Sequence, residues 1–492
     1  MGVVLSAWDA ARVRAAEEPL LAAGVPLMDR ASFALAVSVA RELRARRGRV
    51  AGSRVLLLVG AGGNGGDTLF AGAHLARRGA SVTALLADER VHPSGLTALR
   101  AAGGRVVRAS GGDAGAVLVR GADAVLDGLL GIGGRGGARG TAGELVAAVA
   151  ALDPRPFVVA VDVPSGIGVD DGTLPDAPVL PADLVVTFGG AKPGLLLPPA
   201  ALLAGRVEVV DVGLALAPDE AAVARLDTAD LAAAWPVPGP ADHKYTRGVL
   251  GVVAGTGAYP GAARLVTGAA VRAGVGMVRY TGDVGAAVVA AHPEVIVGTG
   301  TVQAWALGSG VDPADEGQAA RIAAALAGGL PAVVDAGALS LLPARVGPHV
   351  VLTPHAGELV RLLAARGVTV ERDAVVAAPL AWARRAHELT GATVLLKGAV
   401  TIVVGPGRVY AQAGAPAWLA TAGAGDVLAG LLGALLAGRS SQVLADPSLA
   451  ALLAGVAAAV HGRAAVTANP GGPVCATAVA DALPAAIAAL LH

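Results

Sequence analysis

One cysteine in 492 residues, Cys475, cannot build a disulfide framework or a cysteine-rich zinc site. A reducing, cytoplasmic setting is therefore expected. Aromatic residues make up 3% of the chain, so its cores must be assembled from Ala, Val, Leu and Gly in closely packed helices and strands. Net charge is also missing. With 38 acidic and 38 basic residues there is no overall field to draw nucleic acid or an anionic membrane. The uncharged runs 427–438 and 449–460 fall short of the ~18–20 apolar residues of a bilayer span and suit buried helices. Asp9, Arg12, Arg14, Glu17 and Glu18 interrupt any signal-like apolar core at the start. The length is too great for one ordinary core, and two to three domains are expected.

What is present is alternation. Short apolar runs at 55–59, 81–87, 124–126, 157–163, 184–188 and 207–210 read as strands separated by helices, the pattern of a parallel sheet covered on both faces. Residues 7–47 read as helical. Pro236, Pro238 and Pro240, followed by Asp242, His243 and Lys244, suit a linker, placing one at 216–242 between domains 1–215 and 243–492. The alternation then restarts, with strands expected at 249–254, 277–280, 295–297, 304–307, 332–334, 350–352, 393–396 and 401–404. A hairpin is expected at Gly405-Pro406-Gly407, and helices at 427–436, 449–468 and 476–491.

The first glycine loop reads Gly60-Ala61-Gly62-Gly63-Asn64-Gly65-Gly66-Asp67. Gly60, Gly62 and Gly65 match a dinucleotide fingerprint after a strand, and Asp88 closes the next strand near the ribose position. Asp67, expected at the helix start, argues against that reading, since a carboxylate there would repel a phosphate. A plain turn capped by Asp67 is the structural alternative. Three further loops fall at strand ends, where open α/β sheets bind ligands. They are 127–133 beginning with Asp127, 162–167 with Asp162 and Ser165, and 188–194 with Lys192. Four loops converging on one edge make a site more plausible than four separate caps.

These segments resemble the NAD(P)HX epimerase family, also called the YjeF N-terminal domain, over roughly residues 1–215. Gly63 and Thr68 depart from its usual Asn-Asn-Gly-Gly-Asp-Gly. The resemblance implies a Rossmann-like fold. It implies that the hydrate contacts Gly63, Asn64, Gly65, Gly66, Asp67, Gly131, Ile132, Gly133, Gly134, Arg135, Gly136, Gly137 and Asp162. It also implies a potassium ion (K+) held by Asn64, Asp127 and Ser165. Asp162 is the first candidate for acid–base work and Lys192 the second.

In the second half, residues 421–430 read Thr-Ala-Gly-Ala-Gly-Asp-Val-Leu-Ala-Gly, a glycine turn opening into an apolar helix. Its amides can converge on a phosphate oxygen while Asp426 faces a substrate hydroxyl as general base. A glycine turn capped by Asp426 is the simpler alternative. Loops at 307–310, 334–339, 352–358 and 397–401 lie at strand ends. Together with the opening 244–248 and the segment 259–263 they resemble the ADP/ATP-dependent NAD(P)H-hydrate dehydratase family, of ribokinase-like fold, with Gly337 and Ser340 as departures. That resemblance implies hydrate contacts at Ala263, Gly310, His355 and Asp426. It implies contacts to ADP or AMP at Lys397, Gly398, Ala399, Val400, Thr401 and Gly425.

The combined expectation is an α/β chain, Rossmann-like then ribokinase-like. It would epimerise the R and S hydrates NADHX and NADPHX and dehydrate the S form while ADP becomes AMP and phosphate, aided by Mg2+. A homo-oligomer with no nucleic-acid or membrane partner is expected. Three readings compete. A dehydrogenase explains the first loop and Asp88, a small-molecule kinase explains the second domain, and a nucleotide-binding scaffold gives the first domain no chemistry.

Overall fold

The computed structural model describes residues 5–109, 119–134 and 136–492. They form two compact units, Ser6–Ala222 and Val223–His492.

The first unit is built on seven parallel strands. Across the sheet they run Arg105–Arg108, Ser81–Leu86, Arg54–Val59, Ala124–Gly128, Phe157–Val161, Leu184–Phe188 and Arg206–Val210. Successive residues of Arg54–Val59 feed opposite faces. Val55, Leu57 and Val59 join one core cluster, Leu56 and Leu58 the other. With both faces buried, the strand reads as an unbroken apolar run rather than an alternating one. Strand order reverses between Arg54–Val59 and Ala124–Gly128, which opens a crevice at their carboxyl ends.

Three expectations shift here. The helical stretch 7–47 is two helices, Ala10–Ala22 and Leu27–Arg47, bent by 115° around Gly24 and Pro26. The edge strand Arg105–Arg108 escapes the apolar pattern because arginines occupy both its ends, as suits an exposed edge. The third shift is the helix after the first glycine loop, which starts at Gly63, ahead of Asp67.

The second unit carries its own sheet. From Val223–Arg225 it runs through Val409–Gln412, Thr401–Val404, Thr393–Leu396, Val350–Leu352, Ala332–Val334, Ala304–Leu307, Val249–Val253 and Met277–Tyr280 to Ile296–Val297. Seven strands, from Thr393–Leu396 to Ile296–Val297, are parallel. The hairpin strand Thr401–Val404 is antiparallel to both its neighbours, Thr393–Leu396 and Val409–Gln412, with Gly405 to Gly407 in the turn to the latter. The segment expected as a linker, 216–242, is largely ordered. Val223–Arg225 pairs with the strand Val409–Gln412, and Thr228–Ala234 is a helix closed by an Asp227–Asp230 capping box. The proline-spaced residues from Pro236 to Asp242 lack helix and strand.

Small residues let backbones touch. A Cβ at Gly430 would overlap the carbonyl of Val266, so helices Ala424–Gly438 and Pro260–Arg272 pack at close range. Helix Ser448–Ala468, at 21 residues, is long and apolar enough to cross a membrane, longer than its uncharged run indicates, but 67% of its apolar window is buried inside the fold.

Candidate active sites

The crevice of the first unit is a cavity of about 1290 Å³. Its floor is a crossing of glycines. A Cβ at Gly60 would strike Leu129 O, one at Gly65 would strike Gly60 O, and one at Gly128 would strike Thr68 Oγ1. Only glycine lets two strand ends and the helix Gly63–Arg77 meet this closely. Gly63, Asn64, Asp67, Gly131, Ile132, Gly133, Gly134, Asp162 and Lys192 line the cavity, together with Arg14, Glu17 and Asp88.

Three of the expected contacts pack closely on neighbouring residues. Gly65 sits under Gly60, and Gly66 lies beneath Met28 and His92. Gly137 packs on Pro175 and Ala177, and neither it nor Gly136 lines the cavity. Arg135 lies outside the described residues. The expectation that Asp67 sits at the helix start is corrected, and the alternative of a turn capped by Asp67 falls with it. Gly62 is the cap and offers no side chain, so the first-turn amides remain open to an anion while Asp67 projects from the second turn.

Lys192 is 1% exposed. Its ammonium bonds Asp162 Oδ1, Thr187 Oγ1 at 2.9 Å and Phe188 O at 3.0 Å, and Thr187 Oγ1 also donates to Asp162 Oδ1 at 3.0 Å. Asp162 itself holds φ +67°, an unusual conformation for a non-glycine, which aims its carboxylate at the lysine. Burial first, then the charges of Asp162 and Glu17, push the Asp67 carboxyl well above the ordinary range against the pull of Lys192.

Asn64, Asp127 and Ser165 are brought together beneath the cavity. Ser165 Oγ donates to Asp127 Oδ1 at 2.6 Å and its amide to Oδ2 at 3.0 Å. Asn64 Nδ2 reaches Leu130 O at 3.0 Å, and the Leu130 amide reaches Ser165 Oγ at 2.9 Å. Asp127 is fully buried, and among the described residues no cationic side chain pairs with it.

In the second unit the strand ends converge on Asp335, a residue outside the expected contact set. It is 2% exposed. Its Oδ1 accepts from Thr353 Oγ1 at 2.8 Å and Lys397 Nζ at 2.9 Å, and its Oδ2 from Ser309 Oγ at 3.1 Å. Lys397 Nζ also lies 3.5 Å from Glu358 Oε2. Burial alone would lower the Lys397 pKa, but Asp335 and Glu358 hold it above its usual value. The signal for Asp335 in sequence was faint, a lone acid at the end of a three-residue strand.

Over this cluster stands helix Ala424–Gly438. Its cap, Gly423, has φ +84° and no side chain, so the amides of the first turn are uncapped. A Cβ on Gly425 would stand 3.4 Å from Lys397 Nζ, which puts those amides and the ammonium on one spot. Asp426, in the same turn, is pushed up to about 6 by burial and then by Asp335, with Ser309 and Lys397 opposing. His355 caps helix Ala356–Ala364, its Nδ1 accepting from the Gly357 and Glu358 amides, while Nε2 lies 3.7 Å from Glu358 Oε1. Gly398 and Ala399 form the exposed turn of the hairpin between Lys397 and Thr401, with Val400 buried behind them. Gly310, at φ +65°, presses on Ala262. Ala263 is fully buried, with its methyl set against Gly255.

Residues 25–194 match the family model of the YjeF-related protein N-terminus, and residues 250–484 match that of NAD(P)H-hydrate dehydratase. The chain is 47% identical over 442 residues to the bifunctional NAD(P)H-hydrate repair enzyme Nnr of Mycobacterium tuberculosis, covering 86% of this chain and 88% of that one. The chain belongs to this repair-enzyme family. The NAD(P)H-hydrate epimerase of Microbacterium testaceum is 50% identical over 43% of this chain and 79% of its own. A crystal structure of the ADP/ATP-dependent NAD(P)H-hydrate dehydratase of Bacillus subtilis, co-crystallised with ATP and Mg2+, is 27% identical, with TM-score 0.47, covering 54% of this chain and 98% of that one. Family membership accounts for both glycine loops at once. Helix Ala10–Ala22, which walls the first cavity, precedes the stretch matched by the family model.

Proposed function

We propose that this repair enzyme interconverts the R and S hydrates of NADH and NADPH in the first cavity and dehydrates the S form in the second unit, with ADP becoming AMP and phosphate. The observation that carries it is the match of both halves to the two activities of one repair reaction. A Rossmann-like crevice with an open helix N-terminus suits a substrate that is itself a damaged dinucleotide.

Water added across the nicotinamide 5,6 double bond leaves a hydroxyl on C6, and hydroxide is a poor leaving group. Asp426 takes the proton from that hydroxyl, whose oxygen attacks the terminal phosphoryl of ADP. The P–O bond to AMP breaks and a phosphate ester forms. Inorganic phosphate then leaves C6, a proton leaves C5, and the double bond returns. A base titrating near 6 is ionised at neutral pH yet still basic enough to work. The Gly425 amide and Lys397 stand where charge develops on the phosphoryl oxygens. Among the described residues no group of three His, Cys, Asp or Glu is placed to hold a metal ion, so a magnesium ion would lean on the nucleotide's own phosphates.

In the first unit, Asn64, Asp127 and Ser165 fit a large monovalent cation such as potassium. Their donors include oxygens, and the buried Asp127 carboxylate has no counter-charge among the described residues. Such an ion would anchor the loop at Leu130 that edges the cavity.

The test is recovery of NADH absorbance from a mixture of both NADHX epimers with ADP and Mg2+, by the full chain and by Asp426→Ala. Complete, ADP-dependent recovery that the variant loses supports both activities. Recovery halting at the S fraction would refute the epimerase half, and no recovery would refute the whole reading.

A further inference from the structure

Glu17, Asp67 and Asp162 all line the first cavity beside Lys192, but they are not equivalent. Among the described residues every hydrogen bond to Asp162, from Thr187, Lys192 and the Phe188 amide, goes to Oδ1, and none goes to Oδ2. Asp67 and Glu17 make no side-chain hydrogen bond or ion pair among the described residues. One carboxylate is locked to a buried ammonium, and two face the same space unpartnered.

Epimerisation at C6 asks for such a division. C6 is bonded to ring N1 as well as to its hydroxyl. When the C6–O bond breaks, the N1 lone pair forms an N1=C6 bond, and the oxygen must gain a proton to leave as water. Water then adds to the other face of the planar cation, the N1=C6 pair returns to N1, and the water gives up a proton. Nothing is oxidised or reduced. The site must supply one proton and accept one.

We propose that Asp67 is the catalytic acid that protonates the departing C6 hydroxyl, that Asp162 Oδ2 accepts the proton of the returning water, and that Glu17 is a positioning residue that keeps the Asp67 proton in place. This rests on the epimerase reading of the cavity. Three carboxylates against one buried ammonium leave the cluster short of positive charge, and a proton is the cheapest counter-charge. Burial raises Asp67 first, then Asp162 and Glu17, and only Lys192 opposes. Burial also raises Glu17, with Lys192 and Arg14 pulling it down and Asp162 pushing it up. Glu18, Asp88 and Arg139 are the other charged residues on the cavity wall. Glu17 comes from helix Ala10–Ala22, ahead of residues 25–194 that match the family model.

The experiment uses the full chain and (R)-NADHX without ADP, so that only epimerisation proceeds, followed by chromatography of the two epimers across pH. Spontaneous epimerisation is subtracted. A general acid works protonated, so wild-type kcat falls as pH rises through the Asp67 pKa. Asp67→Asn lowers kcat by about 10²-fold or more with KM changed only a few-fold. Glu17→Gln removes a negative neighbour, so the alkaline limb moves to lower pH and kcat at that end falls by about tenfold. Glu17→Asp restores part of the shift. A limb that stays in place in Glu17→Gln, or an Asp67→Asn enzyme with wild-type kcat, overturns the proposal. A wild-type chain that leaves (R)-NADHX unchanged sinks the epimerase reading itself, a distinct outcome.

Discussion

The Lys397 ammonium lies 2.9 Å from Asp335 Oδ1 and 3.5 Å from Glu358 Oε2, and the Gly425 backbone closes over it. Asp335 thus ties three strand ends to the helix that carries Asp426. Its carboxylate is held by Ser309, Thr353 and Lys397.

Asp335→Ala leaves Lys397 with Glu358 as its one ion-pair partner among the described residues and removes one acceptor from each of the hydroxyls of Ser309 and Thr353. Breaking a pair of this kind costs about 3 kcal/mol, because the remaining charge keeps its desolvation cost. Chemical unfolding of the second unit is expected to show that loss, and dehydration is expected to fall with a raised KM for ADP. An unchanged KM would mean that Lys397 finds its position without Asp335.

The pH dependence of dehydration follows from Asp426. As the base it must be ionised, so kcat on (S)-NADHX falls as the pH drops through about 6. Replacing Asp335 with Asn removes a negative neighbour and moves that acid limb to lower pH. A flat profile from pH 5 to 8 would remove Asp426 from the role of base.

Most of this architecture was legible in the sequence. Strands such as Leu184–Phe188 are buried on both faces, and their continuous apolar runs can be read without tertiary knowledge. The loops at Asp127, Asp162, Lys397 and Asp426 were visible because glycines and charged residues interrupt those runs. Other features depend on contacts distant in sequence. Val223–Arg225 is too short to read as a strand until Val409–Gln412 lies beside it. Glu17 looks like any solvated helix residue until the crevice opens against its helix. The register of Asp67 depended on where the helix begins, and the glycines at 62–66 hid that start because glycine disfavours helices.

Lys192→Met tests the lock on Asp162. Without the ammonium, Asp162 is an almost buried carboxylate with only Thr187 and the Phe188 amide, and the first unit should lose about 3 kcal/mol. Epimerisation of (R)-NADHX is expected to disappear while ADP-dependent dehydration of (S)-NADHX persists. Loss of both activities from folded protein would show that Lys192 acts beyond the first cavity.

The potassium proposal has a readout that does not depend on activity. Asp127 is fully buried and its carboxyl is raised by that burial, with only the Ser165 hydroxyl and the Ser165 and Leu129 amides pulling the other way. A bound cation would favour the ionised form and add binding free energy to the folded state alone. At ten times its dissociation constant the ion contributes about 1.4 kcal/mol. The thermal midpoint of the first unit is therefore expected to be higher in potassium chloride than in lithium chloride at equal ionic strength, where general screening is the same. Asp127→Asn keeps the shape and removes the charge, so it should abolish the difference between the salts. Equal midpoints for the unaltered chain would mean that Ser165 and the two amides suffice for Asp127, and that the cluster at Leu130 is a structural knot rather than an ion site.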